Sequence, residues 1–211
     1  MRKFGIYLLF IAVAVVIASI YGVAHHQVTF SVSPEYYTKF KFIQTNLADT
    51  LAAQHMTQPR SAVVIAGVKT SWTIGLIVGA ILGLIALIFP SADTMFPSAL
   101  QALGLALVIS MLFALGSYYY NPDEHIGTGI YDTMPAHVPG NLTNKGAFYR
   151  AASIQYGVLL GWCVGLAGGT VLLLIRNNRV RRRLNRDPGA QPLNTRDSDP
   201  DPDSPVSPGT E

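Results

Sequence analysis

The sequence is short of charge, nearly devoid of cysteine and without a recognisable catalytic spacing. Of its 211 residues only 13% are charged and 50% are hydrophobic, whereas a soluble domain carries about 25% charged residues. That shortage excludes an ordinary water-soluble globule. The one cysteine, Cys163, excludes a disulfide within a single chain and any CxxC redox pair. Four apolar runs, 4–24, 72–89, 98–119 and 151–175, contain no Asp, Glu, Lys, Arg or His. Ion-coupled carriers place such groups inside the membrane or break their helices midway. These runs do neither, which argues against that class and leaves a passive pore built from several chains as an alternative.

Other absences remove particular families. Four-helix membrane thiol oxidoreductases need the missing cysteine pairs. Claudin-like proteins need a W-GLW-C-C pattern in the first outer loop and tetraspanins need CCG with further cysteines, and neither pattern is present. No nucleophile with a nearby base is legible, no His pair falls at metal-binding helical spacing, and no cofactor motif is readable.

What is present is a membrane protein. Each apolar run approaches or exceeds the ~20 helical residues that cross a ~30 Å hydrocarbon core, so the expected fold is all-α, a four-transmembrane-helix bundle. The first run could be a cleaved signal peptide, given the basic "MRK" start and "GVA" before His25. Its apolar core exceeds the usual 7–15 residues of such peptides, which favours a retained anchor. Arg2 and Lys3 precede the first run, and Arg176, Arg179, Arg181, Arg182, Arg183 and Arg186 follow the last. The positive-inside bias therefore predicts that both termini are cytoplasmic, with 25–71 and 121–150 forming an outer cap. Residues 1–186 read as one membrane domain. Residues 187–211, rich in Pro, Asp and Ser, read as a disordered cytoplasmic tail that cannot bury enough apolar area to offset chain entropy. The six arginines also suit anionic lipid head groups, and their place beside the membrane sets nucleic acid aside.

Small residues recur every fourth position in two runs: Gly67, Ser71, Gly75, Gly79 and Gly83, then Ser153, Gly157, Gly161, Gly165 and Gly169. Shorter series occur at Ala14, Ala18, Gly22 and at Ala106, Ser110, Ala114. Such faces let helix backbones approach closely, which drives association in lipid, either within one bundle or between chains. Leu82 and Leu160 lie off these ridges and are candidates for the lipid side.

The stretch "VTFSVSPEYYTKFKFIQ" begins with alternating Val28, Phe30 and Val32, a pattern that predicts a short half-buried extended segment. Ser33, Pro34 and Glu35 then read as N-cap, first helical residue and dipole-favoured acid. From there Tyr36, Phe40, Ile43, Leu47 and Leu51 share one helical face opposite Thr38, Lys41, Thr45 and Asp49, with Phe42 on the polar side. The expectation is an amphipathic outer helix, marked by Glu35, Tyr36, Tyr37, Phe40 and Phe42, lying against the spans or the lipid interface. The outer titratable groups His25, His26, Glu35 and His125 are the metal-ligand candidates.

"HHQVTFSVSPEYYTKFKFIQ" resembles a signature of uncharacterised bacterial four-helix inner-membrane proteins in which a phrase close to SPEYFTKFKF follows the first span. The resemblance implies a bacterial inner-membrane location and carries no activity. The expected function is non-catalytic interaction of the aromatic cap with lipid, a second copy of the chain or another membrane protein. An outer His/carboxylate metal site, in a binding protein or an enzyme, is the alternative.

Overall fold

In the computed structural model residues 2–48, 59–119, 139 and 141–186 are described, and among them there is helix and no strand. The elements are α1 (Arg2–Val32), α2 (Pro34–Tyr36), a π-helical turn (Tyr37–Lys41), α3 (Phe42–Gln44), α4 (Pro59–Ala86), α5 (Ala92–Tyr119) and α6 (Lys145–Arg186). Four of these, α1, α4, α5 and α6, are long and apolar enough to cross a membrane. The tail 187–211, with Leu51, Asp49 and His125, lies outside the described residues.

α1 has 31 residues, about 46 Å at 1.5 Å per residue, which is longer than the ~30 Å hydrocarbon core. The extended segment expected at 28–32 is instead the end of this helix. Thr29 donates its hydroxyl to the His25 carbonyl (2.9 Å) and Ser31 to that of Gln27 (3.2 Å). The hydroxyls that mimic a strand's polar face thus bond four residues back along a helix.

Pro34 lacks an N–H and ends α1. Ser33 turns to extended backbone, and its Oγ accepts the Tyr36 amide at 3.2 Å. The next turn, π-helical, takes an extra residue, and this shifts the helical register. Tyr37, Lys41 and Phe42 come to face inward, while Ile43 faces out with 60% exposure. The expected single face is corrected accordingly: Tyr36 and Leu47 are buried as read, but Ile43 and Phe42 exchange places and Lys41 is inside. Asn46 then adopts φ 53°, with Leu47 N–H bonded to Phe42 O and Asn46 N–H to Ile43 O. This Schellman closure packs Leu47 with Phe42, as the motif requires.

The long helices associate as two close pairs, α1 with α4 and α5 with α6. In the first pair a Cβ on Gly75 would lie 2.7 Å from Ala18 Cβ, and one on Gly79 2.7 Å from Ala14 Cβ. In the second, a Cβ on Gly165 would lie 2.7 Å from Ala106 Cα. Gly169 approaches the Ala102 carbonyl, Gly157 meets Ser117, and Gly83 meets the rings of Tyr7 and Phe10. Between the pairs the filling is bulky: Phe10, Leu82, Met95, Leu103, Trp162 and Leu173. Leu82 has no exposed surface, which corrects its expected lipid side, whereas Leu160 is 55% exposed. Small residues bring backbones together within each pair, and large ones hold the pairs apart.

Candidate functional site

Where α1, α4 and α6 diverge, the 34–44 segment folds over their ends. Tyr36, Tyr37 and Phe42 bury their rings against Phe30, Phe148 and the alanines of α4 and α6. Beneath them lies a cavity of 240 Å³. Its apolar side is built by Ile74, Val158, Leu159 and Trp162, and its polar side by His25, His26, Lys41, Gln44, Thr70 and Gln155. Among the described residues no Asp or Glu contributes to the lining. Tyr156 and Leu159 line it and are also half exposed on the outside of the bundle.

One side of the cavity is a directional chain of hydrogen bonds. Thr70 gives its only hydroxyl proton to the Ala66 carbonyl at 2.8 Å, so toward His26 Nε2, 3.1 Å away, it accepts. With the imidazole proton assigned to Nε2 on that ground, Nδ1 accepts from the Tyr37 hydroxyl at 2.9 Å. Gln155 Nε2 donates in turn to Tyr37 Oη at 3.3 Å. Burial first, and the neighbouring Tyr36 second, pushes the Tyr37 phenol above its ordinary range, which keeps the required proton in place. The chain ends on a helix carbonyl that cannot pass a proton on. It is a strut joining α1, α4, α6 and the π turn.

Lys41 is the cavity's cation. It is 9% exposed, and burial lowers its pKa to about 8. Its Nζ donates to Gln44 Oε1 at 3.0 Å. Two residues earlier, Lys39 has the opposite circumstances, with Glu35 Oε1 at 2.7 Å and the Asn141 carbonyl at 2.7 Å.

Glu35 is directed away from the histidines. Its carboxylate accepts from Lys39 Nζ and from the amides of Thr143 and Asn144, which holds its pKa down to about 2, Lys39 contributing most. It clamps the 34–44 segment to the start of α6, where Asn144 Oδ1 caps the Ala147 amide at 2.9 Å. Of the metal-ligand candidates, His25 and His26 come together, with ring centroids 5.5 Å apart. Among the described residues no three His, Cys, Asp or Glu side chains gather around one point.

No protein-family model, curated protein or solved structure matches the chain. The site is therefore read from its own geometry. Phe40 is half buried against Tyr36 and Phe148. The arginines of α6 stand at the opposite end of the bundle, where Arg181 donates to the Ile88 carbonyl at 3.2 Å, Arg176 is partly buried, and Arg179, Arg182, Arg183 and Arg186 are exposed. Sequence reasoning missed Lys41, Thr70, Gln155 and Trp162 as members of one site. The available signal was positional: Thr70 and Gln155 stand near the ends of apolar runs, Thr70 just before one and Gln155 just inside another.

Proposed function

We propose that this is a non-catalytic multi-pass membrane protein that holds one amphiphilic lipid molecule in the cavity beneath the 34–44 segment. The observation that carries the reading is the cavity's two-sided lining, polar toward the segment and apolar toward the bundle centre, with Tyr156 and Leu159 shared between its wall and the outer surface. A site open to water would gain nothing from such a flank. A bilayer lipid can enter past it, leaving its chains along the exposed aliphatic surface of α6 and its polar part inside. Tyr36, Tyr37 and Phe42 have at most 4% of their surface exposed, so the aromatic cap acts as the roof of this site more than as a surface for a protein partner. The strut through His26 supports a binding role, because it orders the wall and leads no proton anywhere.

The location that fits is a bacterial inner membrane with both termini cytoplasmic and the 34–44 segment outside. Arg2 pairs with Asp93 at 2.6 Å, Lys3 donates to the Phe89 carbonyl, and Arg181 reaches Ile88. The start of α1 and the end of α6 thus share one face of the bundle with the 87–91 connection, and the arginine-rich end of α6 belongs inside by the positive-charge bias. Anionic head groups of that leaflet suit Arg179, Arg182, Arg183 and Arg186.

The test is native mass spectrometry of the full chain released from nanodiscs of phosphatidylcholine and phosphatidylglycerol. One retained lipid per chain is expected. Ala152→Phe, which places a ring into the cavity from a lining position that is 3% exposed, should abolish retention. Absence of retained lipid in the unmodified chain, or equal retention in a folded Ala152→Phe variant, would remove this reading.

A further inference from the structure

Resting on the lipid-holding reading above, we infer that the cavity selects an anionic head group, a phosphate or a carboxylate, through the ammonium of Lys41. Charge balance is the starting observation. A buried cation is normally paired, because removing it from water without an anion is costly. Among the described residues the ion pairs are Arg2–Asp93 and Lys39–Glu35, and neither involves Lys41. The carboxylate of the same segment, Glu35, is fully engaged by Lys39 and two backbone amides. Lys41 has three N–H donors and a neutral acceptor, Gln44 Oε1, for one of them.

The register shift explains why the ammonium is inside at all. On an uninterrupted α-helix Lys41 would fall opposite Tyr36 and Phe40 and face solvent. The π turn brings Phe42 round to the Tyr37 side, and Lys41, four residues after Tyr37, lines the cavity. Single-turn π segments are frequent at functional sites, and here the consequence is concrete: one cation is brought into a space to which no Asp or Glu among the described residues contributes. A ligand anion at Nζ would make charge-assisted hydrogen bonds in a partly desolvated site, where they are strong. The ring of His25 lines the same space. The apolar flank of Ile74, Leu159 and Trp162 receives the glycerol and acyl part of the lipid beyond its head group.

The full chain in nanodiscs with equimolar phosphatidylglycerol and phosphatidylcholine of identical acyl chains tests this by native mass spectrometry. The expected result is a preference of about tenfold for phosphatidylglycerol, the size one charge-assisted hydrogen bond confers. Lys41→Gln and Lys41→Met should retain one lipid with the preference reduced to within about twofold, as a single such bond is lost. Both variants remove a buried charge that has no ion-pair partner among the described residues, so loss of folding is not expected. Lys39→Gln, which removes a neighbouring charge outside the cavity, should leave the preference intact. Displacement of the lipid by millimolar inorganic phosphate would show that the free anion suffices, and failure of displacement that the lipid is required; the anion assignment stands in either case. Equal retention of the two lipids by the unmodified chain, or an undiminished preference in both Lys41 variants, would overturn it while leaving lipid binding in place. Loss of all retained lipid would instead reject the binding reading itself.

Discussion

Adding a single methyl group at Gly161 tests how close the α5/α6 contact is. A Cβ built there would lie 2.5 Å from Ser110 Cα, 3.0 Å from Phe113 Cβ and 3.2 Å from the Ile109 carbonyl oxygen. Carbon atoms in contact sit about 3.5–4.0 Å apart, so α5 must retreat by roughly 1 Å at this point. The nearest obstacle is backbone, which cannot rotate aside. The retreat also strains the bond from Ser110 Oγ to the Val158 carbonyl at 3.2 Å and the contact of Tyr21 with Ser110 at 3.3 Å. Overpacking of this kind costs about 1–3 kcal/mol, and the gain in helix propensity from Gly to Ala offsets about 0.8–1 kcal/mol of it. Gly161→Ala should therefore destabilise by up to about 2 kcal/mol, as much as a thirtyfold fall in the folded-to-unfolded ratio. Gly104, with nothing within 4 Å of its Cβ position, is the control, and Gly104→Ala should match or exceed the unmodified chain. Gly83→Ala should fall between, since the atoms it meets are ring carbons of Tyr7 and Phe10 that can swing away. The assay is unfolding by SDS titration in mixed micelles, followed through tryptophan fluorescence. Equal stability of Gly161→Ala and Gly104→Ala would refute the close-contact argument.

The remaining predictions concern the core, the buried lysine and the topology. Leu82→Ala should cost about 2–5 kcal/mol in the same assay, as for other fully buried leucines, while Leu160→Ala at a half-exposed position should cost much less. Lys41 has a folded pKa of about 8 against an ordinary 10.5, so between those values the unfolded chain binds more protons and stability rises with pH. Relative to Lys41→Met, the unmodified chain without added anionic lipid should gain on the order of 3 kcal/mol between pH 8 and 10.5 at most, and parallel curves for the two proteins would refute the buried cation. Reporter fusions should place residues 45–60 and 130–140 outside and residue 190 inside, and an outside signal at 190 would reverse the proposed orientation.

The sequence by itself determined the elements whose cause is local. Runs of about 20 apolar residues without charge have to be helical in lipid, because only a helix satisfies every backbone N–H and C=O within one segment, and four such helices are present. Pro34 stopping α1 and Ser33 capping the short helix after it are equally local, since each depends on the chemistry of one or two residues. The stretch 28–32 reads as a strand because Thr and Ser alternate there with Val and Phe, yet their hydroxyls are satisfied by carbonyls four residues back. The tertiary structure alone decided the register of 34–44. A π turn is held by what its side chains pack against, here Phe30, Phe148 and the small residues of α4 and α6, most of them remote in sequence. From that shift came the inward Lys41 and the exchange of Phe42 with Ile43. The pairing of small-residue faces was decided in the same way. Their four-residue spacing is visible in the chain, but which helix each face meets depends on the bulky seam of Phe10, Leu82, Met95 and Trp162 that separates the two pairs. The cavity exists because that seam ends below the 34–44 segment, leaving His26 to bond with Thr70 and Tyr37, and Gln155 with Tyr37, across a space that no local pattern describes.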